Sequence, residues 1–339
     1  MRRGLPAWAA FTLAALVLLA SLVVAVTIGP AGIAPADVWA TIAHHVGLPA
    51  PGTLSPLLDG IVWELRLPRV ITAALVGAGL AVAGAVMQTL VRNPLADPYL
   101  LGLSGGASLG AVAVLVLGIS VLLPVAAFVG ALAALVAALT LAGRTSTLTP
   151  SRTVLAGLAV GQLAAAGTSF VIFWSATGDS YRSILAWLMG SLAGAEWSSV
   201  AIAGVAVGVV ATGLALASRP LDAFALGDTA ASALGIPVSR ARWAMLVAVA
   251  LLTGALVAVS GAIGFVGLTV PHAVRLVVGG GHRRLLALST VVGATFLVWA
   301  DTAARAMFAP RELPVGIVTA FVGAPVFALL LWRRRGREA

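Results

Sequence analysis

The run RLPRVITAALVGAGLAVAGAVMQTLVRNPLADPYLLGLSGGASLG, residues 66–110, decides how this chain folds. Two arginines flank Pro68, an apolar run covers 70–91, the Asn93-Pro94 step breaks it, and a glycine-rich segment re-enters. About twenty apolar residues are what a helix needs to cross a bilayer. Gly77, Gly79 and Gly84 lie on that helix, and small residues there let neighbouring helices approach closely. The broken backbone after it, if it lies at membrane depth, must line a cavity or be buried in protein, because lipid satisfies no N–H or C=O group.

The rest of the chain has the same character. It is 61% hydrophobic and 9% charged, with a mean hydropathy of +1.10, which excludes a soluble globular domain. Apolar runs at 7–28, 70–91, 99–117, 121–142, 153–174, 200–217, 243–261, 264–278, 285–304 and 315–332 give about ten spans of roughly 15–22 residues. The run over 243–278 is long for one helix and short for two. Arg240 and Arg242 before it and Arg283 and Arg284 after it belong on one face, so two crossings are expected, with the turn at Ser260-Gly261-Ala262-Ile263-Gly264. The run over 7–28 is long enough to span and has no clear cleavage site after it, so it reads as a retained first helix.

All twenty basic residues are arginine, and the formal charge is +9. They are dispersed between apolar runs and not gathered on one basic face, so no nucleic-acid partner is expected. With the N-terminus inside, fifteen arginines fall on the cytoplasmic side and five outside: Arg66, Arg69, Arg182, Arg305 and Arg311. That asymmetry follows the positive-inside rule. The expected fold is an all-α polytopic membrane protein with both termini cytoplasmic, a single transmembrane domain over 1–339. The five outer arginines then need partners.

Three connections carry structure of their own. Near residues 35–46, Trp39, Ile42 and Val46 share one face of a short interfacial helix. The segment 179–197 is too short to span between its polar flanks, so a helix at the outer surface, or one dipping back toward a pore, is expected. In the cytoplasmic connection a short apolar turn runs from Leu221 to Leu226 and Gly227 breaks it. Asp228 is placed to cap a second helix through Leu234, and Gly235 with Pro237 ends that helix. The apolar faces of Phe224 and Leu226, and of Ala231 and Leu234, must bury against the chain's own helix ends or a cytoplasmic partner.

Several chemistries are excluded or weakened. A phosphate-binding loop of the G-x-x-x-x-G-K-[ST] type needs a lysine, and the chain has none, so any ATP hydrolysis belongs to a separate chain and this one is no ATPase. Cysteine is absent, and His44, His45, His272 and His282 lack ligand spacing, so neither a metal site nor a cofactor is expected. A proton-coupled carrier needs buried ionisable relays. The best intramembrane carboxylate, Asp301, stands at i,i+4 from Arg305, where a salt bridge is natural. Gly102-Leu103-Ser104-Gly105-Gly106 fits the G-x-S-x-G pattern of a serine nucleophile, and His272 is the one candidate base for a rhomboid-type intramembrane protease. Ser104 lies about 8 Å from the inner end of its helix and His272 about 12 Å from the outer end of its own, which in a ~30 Å core leaves about 10 Å between them, beyond hydrogen-bond reach.

One resemblance accounts for these motifs together. Arg66-Leu67-Pro68-Arg69, the glycine-rich run to Gln88, Arg92-Asn93-Pro94-Leu95-Ala96-Asp97-Pro98 and Leu101-Gly102 closely resemble the FecCD family. These are the membrane subunits of binding-protein-dependent type II ABC importers for ferric siderophores, haem and vitamin B12. So do Leu226-Gly227-Asp228, Leu234-Gly235, the run from Gly261 to Leu268 leading into Pro271-His272, Ala300-Asp301, Ala304-Arg305 and Glu312-Leu313-Pro314-Val315-Gly316. The match covers nearly the whole chain from residue 60 onward.

The resemblance implies ten helices, a homodimer or a pair with a homologous permease around a central pathway, two cytoplasmic ATPase subunits and an extracytoplasmic substrate-binding protein. The cargo it implies is a bulky metal chelate, first a ferric siderophore, with cobalamin or haem as alternatives. By position it also implies that Arg66, Arg69 and Arg305 meet the binding protein. Asn93 and Leu95, with Ser151, would form the cytoplasmic gate. Residues 221–238, including Leu221, Phe224, Leu226, Gly227, Asp228, Ala231, Leu234 and Gly235, would be the coupling element. The implied location is the bacterial inner membrane.

Overall fold

The computed structural model of the protein describes residues 7–29, 32–49, 55–119, 123–143, 149–175, 178–308 and 311–338. Arg2, Arg3 and Arg144, counted above as cytoplasmic, lie outside them. The described residues form fourteen helices and no strand. In chain order they are α1 (Ala7–Thr27), α2 (Pro35–His45), α3 (Pro56–Leu90), α4 (Leu103–Val116), α5 (Leu123–Ala142), α6 (Pro150–Ser175) and α7 (Gly178–Leu188). Then come α8 (Trp197–Leu216), α9 (Ser218–Ala225), α10 (Asp228–Ala233), α11 (Val238–Ser260), α12 (Val266–Val278), α13 (His282–Ala306) and α14 (Val315–Glu338).

Seven of these are long and apolar enough to cross a membrane, and α4, α12 and α14 are shorter apolar helices, so each of the ten expected apolar runs contains a helix. The bundle is organised around α3, whose residues from Val76 to Leu90 are all buried. It packs antiparallel against α13: Arg69 meets Asp301, Gly77 meets Gly293 and Thr89 meets His282. These contacts define two ends of the molecule, an Arg69 end and a Thr89 end. Glycine is required where backbones touch. A methyl group on Gly77 would collide with the Gly293 carbonyl, and one on Gly84 with the Gly267 carbonyl.

The break between α11 and α12 is more than the expected tight turn. Gly79 lies against Leu252 and Leu256 of α11, whereas Gly267 of α12 lies against Gly84, nearer the Thr89 end. Residues 261–265 therefore run as irregular backbone back down into the bundle, with φ of +65° at Gly261 and +69° at Phe265. With 13 residues, α12 is about 20 Å long, short of a ~30 Å apolar core. Irregular backbone at this depth survives only if its polar groups are satisfied. One hydroxyl does this twice: Tyr99 Oη donates to the Ile263 carbonyl at 3.0 Å and accepts from the Ile263 N–H at 3.1 Å.

Two other broken segments join it. The chain leaves α3 at the Thr89 end, climbs back through a short 3₁₀ turn at Pro98–Leu101 and enters α4 at Gly102, whose φ of +78° suits glycine. After α7, the chain packs against the end of α11 and the start of α14. There the Ser191 N–H donates to the Ser260 carbonyl at 2.9 Å and the Gly316 N–H to the Gly190 carbonyl at 3.3 Å. The helix α2 presents Trp39 and Val46 outward and buries Val38 and Thr41, as an interfacial helix does.

Candidate functional site

The three broken segments meet beside a cavity of about 590 Å³ that opens between α4 and α6. Asp97, Tyr99 and Gly102 from the re-entrant segment line it, together with Ser104, Gln162 and Ala262. Its wall is close-packed on the protein side, because a methyl on Gly157 of α6 would strike the Leu100 carbonyl. Toward the exterior it is incomplete: Leu158 and Gln162 line it and are exposed. The re-entrant backbone thus lines a cavity, as its position at membrane depth demands. The wall offers hydroxyls, amides, apolar groups and the Asp97 carboxyl, and among the described residues no cluster of His, Asp and Glu could hold a metal ion. Ser104 lines this wall, and no hydrogen bond joins it to His272 among the described residues.

At the Arg69 end lie the three arginines expected to meet a binding protein. Arg66, Arg69 and Arg305 are only 5%, 8% and 4% exposed. Arg69 makes a two-pronged bond to Asp301, from Nε to Oδ2 at 2.9 Å and Nη2 to Oδ1 at 3.0 Å, and reaches Glu312 Oε2 from Nη1 at 2.7 Å. The expected pair of Asp301 with Arg305 does not form; α3 packs against this face of α13, and the Arg69 fork matches both carboxylate oxygens. Arg305 turns instead to the Ala25 carbonyl. Arg66 donates to the carbonyls of Val26 and Thr27 at 2.8 and 3.0 Å. Two guanidinium groups therefore cap the last turn of α1, where carbonyls lack helical partners and cations are favoured. These three arginines therefore have partners, and these lie within the chain. Arg182 and Arg311 are the exposed arginines of this end, neither with an ion-pair partner among the described residues.

At the Thr89 end, Asn93 shapes the break. Its side-chain Oδ1 accepts from the Leu95 N–H at 2.9 Å and its own N–H donates to the Gln88 carbonyl at 3.0 Å, a local turn typical of asparagine. Asn93, Leu95 and Ser151 are all exposed. The two short helices beyond α8 are present, but their apolar faces divide. Leu221, Phe224 and Ala231 are buried against the bundle, while Leu226 and Leu234 are 74% and 66% exposed. Gly227 makes the turn between them at φ +106°, and Gly235 ends α10 at φ +79°. Asp228 does not cap α10 as expected. Gly227 holds the cap position, and Asp228 pairs at 2.6 Å with Arg242 Nη2, whose guanidinium also lies over the Phe224 ring. A buried cation next to the helix start attracts the carboxylate away from the backbone.

Sequence reasoning missed Tyr99, His282 and Arg242. Tyr99 had a signal, as one of only two tyrosines in the chain and placed inside the break. His282 reads in sequence as structural or solvated, and it is fully buried with partners on both ring nitrogens.

The comparisons with known proteins agree with this geometry. A relative named vitamin B12 import system permease protein BtuC, from Vibrio cholerae, is 45% identical over 82% of this chain and 85% of its own length. A cobalamin import system permease protein BtuC from Halobacterium salinarum is 41% identical over 98% and 97%. The fold matches a solved chain assigned to a metal-chelate type ABC transporter in an inward-facing conformation, with a TM-score of 0.84 at 30% identity, covering 95% of this chain and 98% of that one. The model of the FecCD transport family matches residues 16–333, and this chain accordingly belongs to that family of ABC transporter permeases, as a multi-pass protein of the inner membrane.

Proposed function

We propose that this chain is the membrane subunit of an importer that moves a bulky metal chelate inward, and that it performs no catalysis itself. The observation that carries the reading is the cavity between α4 and α6, walled by irregular backbone and unfinished on its exposed side. A second copy of the chain, or a homologous permease, facing Leu158 and Gln162 would complete it around a shared axis.

The Thr89 end would be cytoplasmic, as would both termini. The exposed Arg92, Arg152, Arg219, Arg240, Arg283 and Arg284 gather toward it, which agrees with the positive-inside rule. Leu226 and Leu234 flank Gly227 there and would insert into a separate ATPase subunit, with residues 221–238 as the coupling element. Asn93, Leu95 and Ser151 would close the path at that end. At the other end the binding protein would dock on exposed groups such as Arg182 and Arg311, while Arg66, Arg69 and Arg305 hold the docking surface together from inside. ATP-driven closure of the two ATPase subunits would then alternate access to the cavity.

The two relatives are named for vitamin B12 and cobalamin import, which favours cobalamin as the cargo over the ferric siderophore and haem that the family resemblance also allows. Uptake by the full complex in proteoliposomes tests this with labelled cobalamin, a labelled ferric siderophore and haem. ATP-dependent entry of cobalamin supports the reading, entry of another chelate alone moves the cargo, and entry of none overturns it.

A further inference from the structure

Asp222, His282 and Thr89 belong to three elements, α9, α13 and α3, and form one continuous hydrogen-bonded chain. Asp222 Oδ1 accepts from the His282 backbone N–H at 2.9 Å and lies 2.7 Å from Nδ1. The other ring nitrogen, Nε2, lies 2.6 Å from Thr89 Oγ1; the Ala85 carbonyl lies 3.0 Å from the same oxygen, so the one hydroxyl proton serves one of the two at a time. A carboxylate can only accept, so Nδ1 carries its proton toward Asp222 and Nε2 is left aimed at the threonine hydroxyl. The imidazole is fully buried, whereas half of the Asp222 side chain is exposed.

Capping of α13 does not account for this arrangement. A cap needs one carboxylate oxygen and a backbone N–H, whatever side chain residue 282 bears. The ring adds a rigid bridge from α9, outside the bundle, to the last turn of α3 inside it. That turn leads directly into the break. The Asn93 N–H is held by the Gln88 carbonyl, and Arg92 Nη1 lies 3.4 Å from the point where a side chain on Gly227 would begin.

We infer that Asp222, His282 and Thr89 are the joint through which displacement of α9 and α10 is passed to α3 and to the gate segment after it, with His282 as a positioning residue for transport. The inference rests on the importer reading. The joint works because it is short, buried and directional, so α9 cannot shift without either carrying α3 with it or breaking a bond to a buried ring.

The test uses the complete transporter in proteoliposomes, with cargo uptake and ATP hydrolysis measured together. Thr89→Val and Asp222→Ala should each lower cargo moved per ATP by about tenfold, with hydrolysis itself kept within about twofold, the scale of losing one strong hydrogen bond. The double variant should be no worse than either single one, because both cut the same path. Thr89→Ser keeps the hydroxyl and should restore the ratio. A wild-type ratio in the single variants, additive losses in the double one, or uptake and hydrolysis falling in parallel would each overturn the joint. If Asp222→Ala fails to assemble, the shape-conserving Thr89→Val decides alone. A wild-type complex that couples no uptake to ATP removes the importer reading, and the joint with it.

Discussion

Arg69 holds both carboxylate oxygens of Asp301, and its remaining nitrogen reaches Glu312. One guanidinium thereby ties α3 to α13 and to the segment entering α14. Removing one partner of such a buried pair leaves an uncompensated charge. Asp301→Ala should cost about 3–5 kcal/mol, seen as a large drop in thermal stability in detergent. Glu312→Gln, at a side chain 39% exposed, should cost under about 1 kcal/mol.

Gly84 marks the tightest crossing of α3 with α12. Gly84→Ala should destabilise the chain by at least about 1–3 kcal/mol, because the methyl meets backbone that cannot rotate away. Gly264→Ala is the matched control: nothing lies within 4 Å of its added carbon, so thermal unfolding should show a change within about 0.5 kcal/mol.

Tyr99→Phe removes a single oxygen and leaves two groups of Ile263 unpaired inside the bundle. Each should cost about 1–3 kcal/mol. Hydrogen exchange should show faster exchange at the Ile263 amide, and uptake should fall with it.

Leu226→Asp and Leu234→Asp alter exposed side chains, so stability of the isolated chain should change by no more than about 0.5 kcal/mol. ATPase assembly or ATP-driven uptake should nevertheless be lost. Unchanged coupled transport in both variants would remove the assignment of these helices.

Arg182→Glu together with Arg311→Glu should weaken capture of the binding protein without altering chain stability. Binding should become less salt-sensitive than in the wild type, because exposed charges separated by more than about 8–10 Å are screened at physiological salt. Equal affinity and salt dependence in the two proteins would refute docking at these residues.

Most of the architecture was legible in the sequence because bilayer thickness leaves little freedom in span length. The ten apolar runs became ten helices. The glycines of α3 were readable as contact points for the same reason, since packing in lipid selects for small surfaces. Side-chain direction was less readable. The spacing of Asp301 and Arg305 suggested a helical pair, yet a fork from Arg69, 232 residues away in sequence, took the carboxylate. The outer arginines were expected to find partners, and those of Arg66 and Arg305 are the carbonyls of α1, a helix end whose position no local pattern encodes. The descent over 261–265 was hidden as well, because a depth within the bundle depends on which helix the segment packs against. His282 looked ordinary for that reason too: its partners come from residues 89 and 222.

The three broken segments beside the cavity share their hydrogen bonds. The hydroxyl of Tyr99 serves Ile263, the carbonyl of Ser260 serves Ser191, and the carbonyl of Gly190 serves Gly316. A helix in the wall of a passage can tilt with its own bonds intact, but these segments have no such independence. Displacing one alone strands polar groups on another in a place without water. On the proposed importer function, cargo passing this part of the membrane would meet segments that move together, since their hydrogen bonds are shared.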